Sequence, residues 1–210
     1  MVVTKLERAK KSNRINVFID EEYAFSVTEQ TLIDLGLFKG QEFDKEALTK
    51  AKQQAFFVRL YDGCLARIAS RPRSEYEIRT HLSQKLYKLD KSKDRELVER
   101  IVDKLKEKKY IADQQFAKWW VDNRMNFSPK SKRALQSELT KKGIDSKTIA
   151  QVLQSVDSES EIELARAHAV KFSSKSRFLA LEPRGQREKL AQMLQRKGFG
   201  WDVIGKVLKT

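Results

Sequence analysis

The chain repeats part of its own sequence after 55 residues, and this internal repeat constrains the fold more than any other feature. Residues 135–153 align without a gap with residues 190–208, sharing two leucines four residues apart, a Lys-Gly pair and three apolar residues near the end. Leucines four apart lie on one face of a helix, and glycine often ends a helix in the left-handed conformation. Each copy therefore predicts a helix, a stop at Gly143 or Gly198, and a shorter second helix.

A looser third copy lies upstream. Its proline, Pro72, corresponds to Pro129 and Pro183, and a cationic residue follows each of them. We expect each proline near the start of the middle helix, where its missing N–H costs nothing. In this copy a polar insert, Lys85 to Arg95, replaces the glycine stop.

A further segment with helical periodicity precedes each copy, at residues 44–69, 113–125 and 158–172. This makes three helices per copy and three copies of about 50 residues, a period typical of helical repeat proteins. The alternative is a single irregular helical bundle with chance similarity. The ungapped match of the glycines and their basic neighbours favours the repeat.

Residues 14–27 instead have a period of two. Apolar residues alternate along Ile15 to Ile19 and again along Tyr23 to Val27, with a turn between them, which predicts a β-hairpin. Thr28 is the candidate N-cap of a short helix that ends at Gly36, and Asp44 that of the next helix.

We therefore predict a mainly α fold, in which three tandem three-helix repeats form an elongated body with a small N-terminal β-hairpin. The hairpin and the short helix take residues 1–43. The repeats take residues 44–112, 113–157 and 158–210.

Positive charge is concentrated in the repeats. Residues 61–210 carry 33 Lys and Arg against 20 Asp and Glu, a net charge of +13 out of a total of +14. A surplus of this size predicts a polyanionic or strongly acidic partner. No window approaches the roughly 18 uncharged apolar residues of a membrane span, and the first residues lack a secretory leader. We expect a cytoplasmic monomer without membrane association.

Four stretches resemble, in order, signature sequences of the bacterial RecX family of regulatory proteins. They are residues 35–41, 71–79, 113–124 and 138–144. The resemblance implies tandem three-helix repeats and a noncatalytic regulator. Such a protein lies along the helical groove of the RecA recombinase filament and restrains strand exchange and ATP hydrolysis. The implied partners are RecA and single- and double-stranded DNA, bound without sequence preference.

Lys and Arg around the middle helices are the candidate binding residues. The pairs Lys141-Lys142 and Arg196-Lys197 recur next to the glycine stops, and they form a basic strip if the repeats stack in register. Alternatively, cations at helix C-termini only offset the helix dipole. The candidate contacts to RecA or DNA are Arg71, Arg73, Arg79, Arg124, Lys130, Lys132, Arg133, Lys141, Lys142, Arg184, Arg187, Arg196 and Lys197.

Two neighbouring patterns receive structural interpretations. Ser74 and Glu77 have the spacing of a capping box, whereas the three arginines around them have no evident local role. Phe116, Trp120 and Arg124 share one helix face, and we interpret the aromatic pair as core rather than a base-stacking platform, with Arg124 at its exposed end.

The sequence shows no recognisable catalytic or cofactor-binding motif. The eight glycines form neither a Walker phosphate loop nor a dinucleotide fingerprint, so we expect no cofactor. We interpret the acidic residues of segment 157–163 as solvated residues at a helix start rather than metal ligands, and Cys64 as a small buried residue. We predict no catalytic or metal site. The alternatives are a general DNA-binding protein of helix-turn-helix-like units and, more remotely, a metal-dependent nuclease.

Overall fold

The computed structural model describes residues 1–10, 12–89 and 94–209, except for the side chain of Arg177. Its N-terminal part is an antiparallel sheet of β1 (Val3–Arg8), β2 (Ile15–Ile19) and β3 (Glu22–Val27), in that order. The predicted hairpin is confirmed as β2 and β3. Asp20 and Glu21 join these strands with positive φ angles of 49° and 70°, the backbone of a tight two-residue turn. Strand β1 was not predicted.

Helices make up the rest of the fold. They are α1 (Glu29–Asp34), α2 (Lys45–Ser70), α3 (Glu75–Lys88), α4 (Arg95–Glu107), α5 (Asp113–Phe127), α6 (Lys132–Lys141), α7 (Ser146–Leu153), α8 (Ser158–Ser173), α9 (Ser176–Leu179), α10 (Pro183–Arg196) and α11 (Trp201–Leu208). The predicted mainly α fold of tandem three-helix repeats is confirmed, with α9 as an extra turn in the third repeat.

The predicted helix signals lie where the sequence places them, with one correction. Thr28 and Asp44 cap α1 and α2 with their side-chain oxygens. Pro183 is the first residue of α10, as predicted. Pro72 and Pro129 instead lie two residues before a serine hydroxyl that accepts from the first turn of α3 or α6. These two prolines therefore shape the approach to the helix rather than its first turn.

The polar insert of the first repeat is described only in part. Helix α3 continues to Lys88, and Asp94 caps α4 by accepting from the Leu97 N–H at 3.2 Å. Residues 90–93 of the insert lie outside the described residues.

The chain divides into two compact units. The first comprises Met1–Arg71 and His81–Tyr110, and the second comprises Pro72–Thr80 and Ile111–Thr210. In the first unit one face of the sheet packs against α2, burying Val3, Val17 and Val27 completely together with Ala55 of the helix. Burial of this apolar face holds the small sheet in place, because so few strands are marginally stable alone.

The second unit contains two apolar cores, one for each of the later repeats. Leu135 and Leu139 of α6 are fully buried in the first of these cores, and Leu194 of α10 is fully buried in the second. Three leucines of the internal repeat are therefore core residues, and the fourth, Leu190, packs partly buried against the second core.

Candidate functional site

The start of α3 is bonded to the chain reversal after α6, and we call this contact the first joint. The Ser74 hydroxyl donates to the Lys142 carbonyl at 2.8 Å while it accepts from the Glu77 N–H at 3.2 Å. The Glu75 N–H donates to Asp113 Oδ1 at 2.8 Å. Two amide donors that α3 cannot satisfy internally are therefore paired here.

The start of α6 is bonded to the reversal after α10 in the same way, and we call this contact the second joint. The Ser131 hydroxyl donates to the Lys197 carbonyl at 2.9 Å and accepts from the Ala134 N–H. The Lys132 N–H donates to Glu161 Oε1 at 2.8 Å. Glu161 is buried, so our interpretation of it as a solvated helix residue was wrong.

The glycine stops are required by both backbone conformation and space. Gly143 and Gly198 have φ angles of 78° and 85°, in the left-handed region that glycine adopts without a steric penalty. A Cβ on Gly143 would overlap the Tyr76 side chain, and one on Gly198 would lie 2.8 Å from Ser131 Oγ. Each glycine therefore ends its helix and admits the neighbouring helix start.

An ion cluster surrounds Glu138 in the second repeat. Trp120 Nε1 and Arg124 Nε each donate to Glu138 Oε2 at 2.8 Å, and Lys130 Nζ lies 3.2 Å from Oε1. Burial raises the pKa of Glu138, but these three hydrogen bonds outweigh it and hold the pKa below its usual value. The Arg124 guanidinium also lies over the Trp120 ring, 4.6 Å from its centroid.

Lys142 connects this cluster to the first joint. Its Nζ lies 2.6 Å from Glu77 Oε1 and 5.0 Å from the centroid of the Trp120 ring. The Lys142 side chain is therefore held by an acid and an aromatic face, and its backbone carbonyl accepts a hydrogen bond from the Ser74 hydroxyl.

These contacts correct two statements made from the sequence. Arg79 does have a local role, because its Nε lies 2.7 Å from Glu75 Oε1 one turn earlier in α3. Arg124 is not the exposed end of its helix face, because it is half-buried against Glu138. Phe116 and Trp120 belong to the core of the second repeat, as predicted.

Exposure divides the thirteen candidate cations into two groups. The half-buried group comprises Arg71, Arg73, Arg79, Arg124, Lys130, Lys132 and Lys142. The exposed group comprises Arg133, Lys141, Arg184, Arg187, Arg196 and Lys197. Arg184 lies 3.3 Å from Glu188, but both side chains are exposed and such a pair is weak.

Sequence reasoning missed the group of basic side chains around His168. The imidazole is half-buried in α8, and its ring centroid lies 6.0 Å from that of Phe199. Burial lowers the pKa of His168, and the positive charges of Lys197 and Lys171 lower it further. The signal in the sequence was the spacing of His168 and Lys171, which places both on one side of α8.

Among the described residues, no three His, Cys, Asp or Glu side chains come together in a group suited to a metal ion. Cys64 is fully buried, as predicted, and burial raises the pKa of its thiol to about 11, so the reactive thiolate is disfavoured. Within the described part of the chain, no helix is long and apolar enough to cross a membrane.

Family models match most of the chain. Residues 1–44 match the N-terminal domain of regulatory protein RecX, residues 113–153 match its second three-helix domain, and residues 159–208 match its third.

Individual proteins agree with these models. Regulatory protein RecX of Bacillus velezensis is 32% identical over 99% of this chain and 76% of its own length. The Bacillus subtilis protein of that name is 32% identical over 96% of this chain and 74% of its own length.

Solved structures extend the similarity to the fold. A crystal structure of regulatory protein RecX has a TM-score of 0.73 and 28% identity, covering 100% of this chain and 99% of its own. RecX from Lactobacillus salivarius has a TM-score of 0.62 and 26% identity, covering 73% of this chain and 94% of its own. The three-helix repeats, the N-terminal sheet and these matches lead to one conclusion: the chain belongs to the family of RecX regulatory proteins.

Proposed function

We propose that this chain is a noncatalytic regulator that binds the RecA filament along its helical groove, touches both RecA and the enclosed DNA, and inhibits strand exchange and ATP hydrolysis. Membership of the RecX family supports a regulatory role. The inhibitory action on RecA follows from the family resemblance. We place this inhibition in the cytoplasm.

The observation that carries the proposal is the exposed group of cations on the second and third repeats. Lys141 and Arg196 occupy equivalent positions beside the two glycine stops, and both are exposed. Because both side chains are exposed, their positive charges are accessible to a partner. Phosphates of DNA and carboxylates of a protein are the groups that Lys and Arg bind.

A repeating protein suits a repeating partner. Several weak ionic contacts on successive repeats act together only when the partner presents several acceptors at fixed spacing, as a filament does. We therefore expect tight binding to the assembled filament and weaker binding to free RecA or free DNA.

Activity assays test the proposal. At a saturating ratio of this protein to RecA in moderate salt, strand exchange and DNA-dependent ATP hydrolysis should both fall. A charge-reversed variant, Lys141→Glu with Arg196→Glu, should inhibit less, and exposed Lys147→Glu on α7 is the matched control. Unchanged strand exchange and ATP hydrolysis with the wild-type protein would contradict the proposal.

The alternative of a general DNA-binding protein predicts a different result. Such a protein would bind bare duplex DNA as tightly as the filament. Any loss of ATP hydrolysis would then disappear when excess duplex competes for it.

A further inference from the structure

The two joints are built alike, and their hydrogen bonds place the first helices of the second and third repeats in register. Asp113 of α5 and Glu161 of α8 accept from equivalent amides, so they occupy equivalent positions. Seven residues further along each helix stand Trp120 and His168. Buried alanines precede both, Ala117 in α5 and Ala165 in α8, which agrees with this register.

Lysine occupies equivalent positions in the two joints, directly before each glycine stop. Lys142 lies over the Trp120 ring in the first joint. Lys197 follows α10 two residues before Phe199, and the ring centroid of Phe199 lies 6.0 Å from that of His168. The pairs Lys142 with Trp120 and Lys197 with His168 therefore occupy equivalent positions in successive repeats.

Asp113 of the first joint corresponds to Glu161 of the second, but two further acids beside the first joint have no acidic counterparts. Glu77, which pairs with Lys142, corresponds to Ala134, and Glu138, which accepts from Trp120, corresponds to Met193. Lys171 adds a cation on α8, one turn beyond His168. Lys142 and Trp120 are thus each paired with a carboxylate, whereas Lys197 and His168 have neither a Glu77 nor a Glu138 at the equivalent positions.

We infer that His168, Lys171 and Lys197 form an anion site whose occupant is a phosphodiester group of nucleic acid. The occupant takes the place that the Glu77 carboxylate holds at the first joint, where the second joint has the small side chain of Ala134. Met193, at the position of Glu138, is buried in the core of the third repeat. Beside the first joint, an amine and a ring N–H each donate to a carboxylate oxygen, at 2.6 and 2.8 Å. Lys197 Nζ and a protonated His168 offer the same two kinds of donor to the non-bridging oxygens of a phosphate.

Charge favours nucleic acid over an acidic protein segment as the occupant. The site lies in the part of the chain that carries nearly all of the net charge of +14, and the exposed Arg196 directly precedes Lys197. A surplus of this size attracts a continuous polyanion at long range, with counterion release adding to affinity. This inference rests on the DNA contact in the proposed function and assigns that contact to one place.

Restoring the missing acid tests the inference. Ala134→Glu places a carboxylate at the position of Glu77, beside Gly198 and within the second joint. This carboxylate should occupy the anion site and compete with the phosphate. Binding of a labelled 20-nucleotide single strand should weaken about tenfold, as expected for the loss of one charge-assisted hydrogen bond. Ala134→Gln has the same size without the charge and should bind within about twofold of wild type.

Removal of the amine should have the same effect as restoration of the acid. Lys197→Ala should also weaken binding about tenfold and lower the slope of log affinity against log salt by about one. The exposed Lys147→Ala is the matched control, with near wild-type affinity. In Lys197→Ala, adding Ala134→Glu should weaken binding little further, because both changes act on one site.

The titration of His168 gives a readout that does not depend on affinity. The chain has two histidines, so His81→Gln identifies the His168 resonances. In the free protein burial lowers the pKa of His168, and Lys197 beyond α10 and Lys171 on the same helix lower it further. Bound oligonucleotide should raise that pKa, and so should Ala134→Glu without any ligand, whereas Ala134→Gln should not.

The outcomes separate this inference from the proposed function. If the wild-type chain does not bind the oligonucleotide, both this inference and the proposed function are contradicted. Wild-type binding that Ala134→Glu and Lys197→Ala leave unchanged, with a constant His168 pKa, would overturn this inference alone. A polyglutamate peptide that raises the His168 pKa when the oligonucleotide does not would assign the site to a protein carboxylate instead and also overturn it.

Discussion

The Ser131 hydroxyl donates a 2.9 Å hydrogen bond to the backbone carbonyl of Lys197, 66 residues further along the chain. Ser74 makes the equivalent bond to Lys142 at 2.8 Å. In both cases a capping serine at one helix start satisfies a carbonyl at the end of another helix. The internal repeat therefore encodes a joint between successive repeats as well as the fold of each repeat.

Replacement of the second capping serine should destabilise the protein. Ser131→Ala removes the acceptor for the Ala134 N–H and leaves the Lys197 carbonyl without its donor. We expect a loss of about 1–3 kcal/mol in the free energy of unfolding. Urea denaturation followed by circular dichroism measures it. Ser137→Ala, at an exposed position in the same helix, should change stability little, and equal losses in the two variants would contradict this role.

The glycine stop at Gly143 should not tolerate a methyl group. Gly143→Ala adds a left-handed penalty of about 1–2 kcal/mol and a clash with Tyr76 that the joint must open to relieve. Gly63→Ala is the control, since it lies within α2 with nothing within 4 Å of the added Cβ, and it should stabilise the protein by about 0.5–1 kcal/mol. Thermal denaturation of both variants should give shifts of opposite sign. A Gly143→Ala protein as stable as wild type would rule out the proposed steric requirement.

The Glu138 cluster should make stability depend on pH in the acid range. Burial acts to raise the pKa of Glu138, but hydrogen bonds from Trp120, Arg124 and Lys130 lower it below the usual 4.5 in the folded chain. The ionised carboxylate therefore stabilises the fold above the unfolded pKa, and this contribution is lost as pH falls through 4.5 to the lower folded pKa. Glu138→Gln should cost about 1–3 kcal/mol at pH 7 and progressively less below pH 4.5. A difference between wild type and variant that stays constant from pH 7 to pH 3 would contradict this assignment.

Adjacent lysines should separate binding from stability. Lys142→Ala breaks the 2.6 Å pair with Glu77, and a double-mutant cycle with Glu77→Gln should give a coupling of about 0.5–3 kcal/mol. Lys141→Ala changes an exposed side chain, so it should leave stability within about 0.5 kcal/mol of wild type and weaken DNA binding. Unfolding curves and fluorescence anisotropy on the same samples measure both properties. Equal effects of the two substitutions on stability would show that the division by exposure is wrong.

Local patterns in the sequence predicted most of the helices and their ends. These patterns act over a few residues, so they can be recognised without knowledge of the fold. They are the leucines four residues apart, the glycines beside Lys-Lys or Arg-Lys, and the caps Thr28 and Asp44. Strand β1 was not predicted from the sequence because its register with β2 shifts between Val3 and Lys5. Val3 is buried and Leu6 packs against the same core, so the apolar residues lie three apart and break the alternation that marks a strand.

The roles of the cations could not be predicted to the same extent. The pair between Lys142 and Glu77 joins residues 65 positions apart, and the Glu138 cluster combines side chains from α5 and α6 with Lys130 between these helices. Such partners become neighbours only after the repeats pack together. Sequence reasoning found the basic positions, whereas tertiary contacts determine which of them are held within the chain.

Co-sedimentation with RecA assembled on single-stranded DNA tests the central proposal most directly, with bare DNA and RecA alone as parallel samples. We predict that the wild-type chain pellets with the filament at a fixed ratio to RecA and pellets far less with either component. The variant with Lys141→Glu and Arg196→Glu should remain mainly in the supernatant. A chain that pellets equally with bare DNA, or that stays in the supernatant with filaments present, would contradict the account.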